Sequence, residues 1–229
     1  MGAMSMGFEI GDVPAPALAD GDRIVATLVV SDTKSWLEDV KVIGRSGAHG
    51  TRTPTPGHAM PGVLAPDLPL LDQNGRPTGL RAFAGRVLVV SFIYTRCPLP
   101  DFCPLMDRNF ASIQKTIAST PALADVRLLT VTLDPDFDRP AILKAHARRR
   151  EADPAIWTFL TGDPTEVNKF ASQFGLYVEH NPQNAIDITH NLRTAVIDPE
   201  GRLVTAHSGN SWTPAELVAD LSAAPAPTH

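Results

Sequence analysis

The sequence predicts an α/β fold in which a mostly parallel sheet, alternating with helices, follows a small N-terminal β segment. Three observations predict it. The run Val87-Leu-Val-Val-Ser-Phe-Ile93 is apolar and rich in β-branched residues, the composition of a strand buried on both faces. Residues 126–133 form a second such run, followed by a helical pattern over 139–150, and 157–160 is followed by another over 164–174. Strand and helix therefore alternate, as in parallel strands joined by right-handed crossovers. By contrast, 23–30 and 36–43 are β-rich runs joined by Ser31-Asp-Thr-Lys-Ser35, a hairpin with no helix between its strands.

In chain order, residues 1–46 read as part of a small β domain. Two strands alone are marginal in water, so this hairpin needs further strands or a surface to lie on. Residues 47–62 hold Thr-Pro-Thr-Pro-Gly-His and Met-Pro-Gly with no hydrophobic period, the composition of an extended, mobile linker. His49, His58 and Met60 lie there as isolated side chains. The second domain spans 63–222 and opens on a short strand that turns at Asn74-Gly75, a dipeptide suited to the positive φ angles of a tight turn. After the strand at 87–93, Pro104 suits the first turn of a helix, since its missing N–H would be unpaired there anyway, and Leu105, Met106, Phe110, Ile113 and Ile117 follow at helical spacing. Pro140 does the same for the helix at 139–150. A hairpin is predicted for 194–198 with 203–207 around Pro199-Glu-Gly201, and a final helix over 213–221, with Thr213 and Glu216 spaced as a capping box. The tail, 223–229, has the composition of a disordered end.

The 229 residues carry a net charge of −5 and show no basic patch to track phosphates, which argues against a nucleic-acid partner. No apolar run approaches the ~20 residues needed to cross a bilayer, and the start lacks a basic stretch followed by an apolar core.

The chain has two cysteines, Cys97 and Cys103, and both fall where the strand at 87–93 ends. Cys103 sits at a helix N-terminus, where amide N–H groups and the helix dipole favour thiolate over thiol. A structural disulfide is one reading. Closing a 15-residue loop contributes roughly 3 kcal/mol, and the loop here is shorter, so a domain with this large a core gains little from it. Redox chemistry or metal binding accounts better for the pair.

Three motifs in order, Phe92-Ile-Tyr-Thr-Arg-Cys-Pro with Cys103-Pro-Leu-Met106, Val131-Thr-Leu-Asp-Pro-Asp-Phe-Asp-Arg-Pro140, and Asp187-Ile-Thr-His190 before Ala195-Val-Ile-Asp-Pro-Glu-Gly201, resemble the Sco/SenC family of copper chaperones. The resemblance covers about 63–222. It implies a thioredoxin-like fold and copper, Cu(I) or Cu(II), held by Cys97, Cys103 and His190. It also implies delivery to a respiratory cytochrome oxidase subunit or another copper-accepting protein, a thiol reductant as a second partner, and a periplasmic or otherwise extracytoplasmic location with a signal or membrane anchor outside the present chain. Five residues, Pro98 to Phe102, separate the cysteines, where the family usually has three. Asn191 stands where the family usually has serine. The opening Met-Gly-Ala-Met-Ser-Met-Gly-Phe8, with 21–30 and Trp36, resembles the second half of a CusF-type copper-binding barrel, which nominates Met4 and Met6 as a further Cu(I) site. The alternative for these methionines is packing against Ile24, Leu28 or Trp36.

Among the other histidines, His146 lies in a helical run beside Arg148-Arg-Arg150 and reads as a solvated surface residue, and His207 is assigned no role. Asp134-Pro-Asp-Phe-Asp138 stands between a strand and a helix, so a carboxylate there either caps the helix or orients a group near the metal. Three functions compete on these residues. A metallochaperone uses Cys97, Cys103 and His190; a thiol–disulfide oxidoreductase or peroxidase uses Cys97 and Cys103 as a redox-active pair without metal; a passive copper sensor or storage module would also suit the Met-rich opening and the linker. An oxidoreductase of the thioredoxin kind would ordinarily space its cysteines by two residues.

Overall fold

The computed structural model describes residues 8–11, 16–19, 21–45 and 61–223. The linker residues His49, His58 and Met60, the opening with Met4 and Met6, and the tail beyond 223 lie outside the described residues.

The predicted alternation of strands and helices is present. A seven-stranded sheet runs in the order β12-β11-β6-β7-β8-β4-β5. At its centre β6 (Val87–Ile93), β7 (Val126–Thr132) and β8 (Trp157–Thr161) are parallel, with Val87 opposite Val126 and Leu128 opposite Trp157. On one side of β6 lie β11 (Arg193–Ile197) and β12 (Leu203–Ser208), both antiparallel to their neighbours. On the far edge, β4 (Leu70–Asp72) pairs antiparallel with β8 and with the two-residue β5 (Pro77–Thr78). Gly75 takes φ +77° in the turn between them, and among the four turn residues only it has a positive φ.

All seven residues of β6 are buried, because helices cover both faces. Alternate side chains of the strand enter two cores. Val87, Val89 and Ile93 pack with Phe110, Ile113 and Ile117 of α1 (Cys103–Ser119), Leu143 of α2 (Pro140–Arg149) and Leu217 of α4 (Pro214–Ala223). Leu88, Val90 and Phe92 pack with Val167, Phe170 and Ala171 of α3 (Pro164–Gln173). The strand ends at Ile93, and the chain turns through Tyr94–Cys97 before α1 begins at Cys103 with Pro104 in its first turn. Both cysteines thus sit at the C-terminal end of the central strand. The capping box at α4 also forms: Thr213 Oγ1 accepts from the Glu216 amide, and Glu216 Oε2 accepts from the Thr213 amide at 2.7 Å.

Two elements lie outside the expected order. Residues expected as loop form the hairpin β9 (Val178–His180) and β10 (Ile188–His190), so His190 ends a strand rather than lying in a loop. Its strands are three residues each, too short to show a period. The N-terminal hairpin is present as β2 (Asp22–Val30) and β3 (Ser35–Arg45), and β1 (Glu9–Ile10) adds a third strand parallel to β3. Among the described strands none of these three pairs with the large sheet. The sheet rests on the rest of the chain at Asp101 and Phe102.

Candidate metal centre

The fold brings Cys97, Cys103 and His190 together. Cys103 Sγ lies 3.9 Å from His190 Nε2, although 87 residues separate them in sequence, and the Cys103 thiol hydrogen-bonds to the Cys97 sulfur. His190 Nδ1 is 2.9 Å from the carbonyl oxygen of Asn191. A carbonyl only accepts, so Nδ1 carries the proton and donates it, leaving the Nε2 lone pair aimed at Cys103. Burial lowers the His190 pKa and keeps the ring neutral. The carbonyl that sets this tautomer is itself held: the Asn191 side chain accepts from the Tyr177 amide at 2.8 Å and donates to the Gly175 carbonyl at 3.0 Å, beyond the end of α3. Asn191, noted in the sequence only as a departure, is thus a positioning residue.

The two cysteines differ in a way opposite to the expectation that the helix N-terminus favours a Cys103 thiolate. Cys97 is drawn down to about 6, first by the hydrogen bond from the Cys103 thiol, then by the amides of Leu99 and Cys103 and by the Tyr94 phenol. Cys103 is pushed well up by burial and by the neighbouring Cys97 sulfur. The physical reason is direction. The first amide of α1, that of Cys103, serves the Cys97 sulfur, while the Cys103 side chain points into the core at 1% exposure. At neutral pH the pair is one thiolate and one thiol. Tyr94 stands edge-on to the His190 ring, 5.6 Å between centroids, and burial with the two sulfurs raises its own pKa, so it remains a neutral donor.

The Asp134–Asp138 segment does not cap α2, whose preceding residue Arg139 makes no side-chain cap and whose first turn lacks an acid. Its carboxylates hold the residues leading into Cys97. Asp138 accepts from the Thr95 amide at 3.0 Å, the Thr95 hydroxyl and the Thr132 hydroxyl, and burial still pushes its carboxyl up. Asp134 accepts from Arg96 Nε at 2.6 Å. Arg96 also donates to the Ala185 carbonyl at 2.7 Å and lies over the Phe137 ring at 4.3 Å. One guanidinium therefore joins the cysteine turn, the 134–138 segment and the β9–β10 hairpin that carries His190. Adjacency to Cys97 was the only trace of this in the sequence, and nothing local marks Ala185 as its partner.

A cleft of about 490 Å³ opens beside these groups, lined by Tyr94, Cys97, Pro98 and His190, by Ile186 of the hairpin turn and by Phe8. Among the described residues, no three carboxyl, thiol or imidazole groups already converge closely enough to hold an ion.

His146 is not a surface residue. It is 2% exposed, its Nε2 lies 2.8 Å from Oδ2 of Asp107 on α1, one turn from Cys103, and its ring stands edge-on to Phe159. His207 pairs with Asp220 at 2.6 Å on α4, away from the cysteines. No helix among the described residues is long and apolar enough to cross a membrane.

Solved structures of Sco proteins resemble this chain, three of them as follows. The SCO1/SenC family lipoprotein from Bacillus anthracis superposes with a TM-score of 0.63 at 26% identity, covering 76% of this chain and 99% of that one. Copper-bound ScoI from Bradyrhizobium japonicum gives a TM-score of 0.59 at 26% identity, with 71% and 100% covered. BsSco, described as having a disulfide switch and as a member of the Sco family of cytochrome c oxidase assembly proteins, gives 0.59 at 25% identity, with 69% and 91% covered. These neighbours make the fold thioredoxin-like of the Sco type. Mitochondrial relatives are longer, and the alignment covers about half of them, 49% in the zebrafish SCO2 homologue. The SCO1/SenC family model matches residues 59–225, most of the sequence, and the chain belongs to that family.

Proposed function

We propose that this protein is a copper metallochaperone that binds copper through Cys97, Cys103 and His190 and passes it to a copper site of a respiratory oxidase. The observation that carries the reading is the His190 ring: its Nδ1–H is held by a backbone carbonyl and its Nε2 lone pair faces a thiol. That is how a metal-ligating histidine is oriented. A sulfur and a nitrogen 3.9 Å apart are suitably placed to share one ion, given metal–sulfur and metal–imidazole bonds of about 2.3 and 2.0 Å in the comparable zinc sites. Two thiolates and one imidazole suit Cu(I) and tolerate Cu(II), and three donors leave a position for an acceptor's ligand. Cys97 is already ionised at neutral pH, and the charge of an incoming ion favours loss of the Cys103 proton. Copper-bound ScoI and the oxidase-assembly role of BsSco support the same reading. By the family resemblance the protein works outside the cytoplasm, and the lipoprotein from B. anthracis agrees with that placement.

The acidic, accessible Cys97 beside a buried Cys103 also favours a second reading as a thiol–disulfide oxidoreductase. In that reaction the Cys97 thiolate attacks a partner's disulfide. Cys103, on losing its proton, then attacks the Cys97 sulfur and releases the partner's second sulfur as thiolate, so the partner gains two electrons, one proton from Cys103 and one from solvent, and the pair becomes a disulfide. Oxidation removes both sulfur ligands, so the two readings exclude each other at any instant. Titration of the reduced protein with copper tests the first. One equivalent bound, with intense thiolate-to-Cu(II) charge-transfer absorption, is expected, and full affinity in a Cys97→Ser/Cys103→Ser variant would overturn it.

A further inference from the structure

The N-terminal sheet lies against the residues that separate the two cysteines. Ser35, the first residue of β3, is 2% exposed. Its hydroxyl donates to Asp101 Oδ1 at 2.5 Å and its amide donates to Asp101 Oδ2 at 3.2 Å. Beside it, the Phe8 ring packs on Phe102 with centroids 5.4 Å apart, and Phe8 and Leu28 form one wall of the cleft that holds Cys97 and His190. Asp101 and Phe102 belong to the five-residue stretch between the cysteines. On its other side this stretch is held by Asn210, whose side-chain amide donates to the Asp101 carbonyl at 3.0 Å.

We propose that the N-terminal three-stranded sheet is an intramolecular gate on the cysteine–histidine cleft. It seats on Asp101 and Phe102 and occupies the surface through which a protein presenting its own thiol, thioether or imidazole ligand approaches Cys97. Two features of the contact suit a gate. It joins two sheets that share no strand pairing, so the N-terminal sheet lifts without breaking a ladder in either. Among the described residues its hydrogen bonds all go to the Asp101 carboxylate and its ring contact is Phe8 on Phe102, few enough directed contacts for local opening to be populated while both sheets stay folded. The seat is on the stretch that joins Cys97 to Cys103, so docking and metal exchange act on one segment. The class of partner excluded rests on the copper reading; the gating of Cys97 does not.

The test uses the full reduced chain without copper. Alkylation of Cys97 is followed by mass mapping with a small reagent, iodoacetamide, and a bulky one, a maleimide carrying polyethylene glycol of several kilodaltons. Loss of a hydrogen bond to a charged acceptor is expected to raise the open population about tenfold, so Ser35→Ala raises the bulky-to-small rate ratio by about that factor. Phe8→Ala, which leaves the carboxylate bridge intact, also raises it, and Asp101→Asn, which keeps one acceptor, falls between wild type and Ser35→Ala. A ratio unchanged in both Ser35→Ala and Phe8→Ala, or equal acceleration by the two reagents, overturns the gate. Copper titration of the same proteins separates the two ideas. A raised ratio in a protein that binds no copper leaves the gate standing and removes the copper reading; normal binding with an unchanged ratio does the reverse.

Discussion

Two buried histidines that meet helix α1 one turn apart on the same face, His190 at Cys103 and His146 at Asp107, show what separates a structural imidazole from a site. His146 and His190 are 2% and 6% exposed, and each stands edge-on to an aromatic ring. At Asp107, His146 places Nε2 on the carboxylate and Arg150 reaches the same oxygen at 3.0 Å, while Asp107 Oδ1 is buried with no partner among the described residues. At Cys103, His190 spends Nδ1 on a neutral carbonyl, and its Nε2 meets a soft thiol at the edge of a cleft. Burial is common to both. What differs is whether the second nitrogen is already committed to a hard, charged partner.

The largest expected effect separates the two directly. His190→Ala is expected to weaken copper binding by more than the roughly 10–100-fold that loss of an outer partner costs, with little change in thermal stability. His146→Ala is expected to leave copper affinity intact and to destabilise the fold by about 3 kcal/mol, since Asp107 is left buried with one partner fewer. Paired copper titrations and denaturant melts read both, and an equal loss of copper affinity in the two variants breaks the comparison. Next comes Arg96→Ala, expected to cost about 10–100-fold in copper affinity through loss of the strut that aligns the cysteine turn with the histidine hairpin. Arg96→Lys should not restore it, because a single ammonium cannot hold Asp134 and the Ala185 carbonyl in the fork geometry. Asn191→Ala, which frees the carbonyl that fixes the His190 tautomer, is expected to cost about tenfold, at the low end of the same range. The smallest effect is on pH dependence. Thiolate is the reactive form, so the rate of Cys97 alkylation rises as pH rises through about 6 and levels off above it, well below the ~8.5 midpoint of an ordinary thiol. The Asp107 carboxylate already raises the Cys103 thiol through its charge, so the sharper expectation is for Cys97: His146→Ala should leave its midpoint in place, and a shift of a full unit would mean that the His146 cluster sets it too.

Local chemistry was legible in the chain itself. The strand at Val87–Ile93, the start of α1 at Pro104, the Thr213–Glu216 capping box and the turn at Gly201 each depend on residues a few positions apart, and each stands where its side chains and φ angles required. The motifs also placed Cys97, Cys103 and His190 in one family's order before any contact between them was known. The cysteine that ionises, the burial of His146, the pairing of β9 with β10 and the seating of the N-terminal sheet on Asp101 were decided by the tertiary structure. The burial of His146, the seating on Asp101 and the approach of His190 to Cys103 rest on partners far apart in sequence, 39 residues between Asp107 and His146, 66 between Ser35 and Asp101, 87 between Cys103 and His190, whereas Cys97 is shifted by near neighbours whose direction and burial only the fold sets. A pKa or a burial is set by everything within a few ångströms, and only the folded chain determines which residues those are.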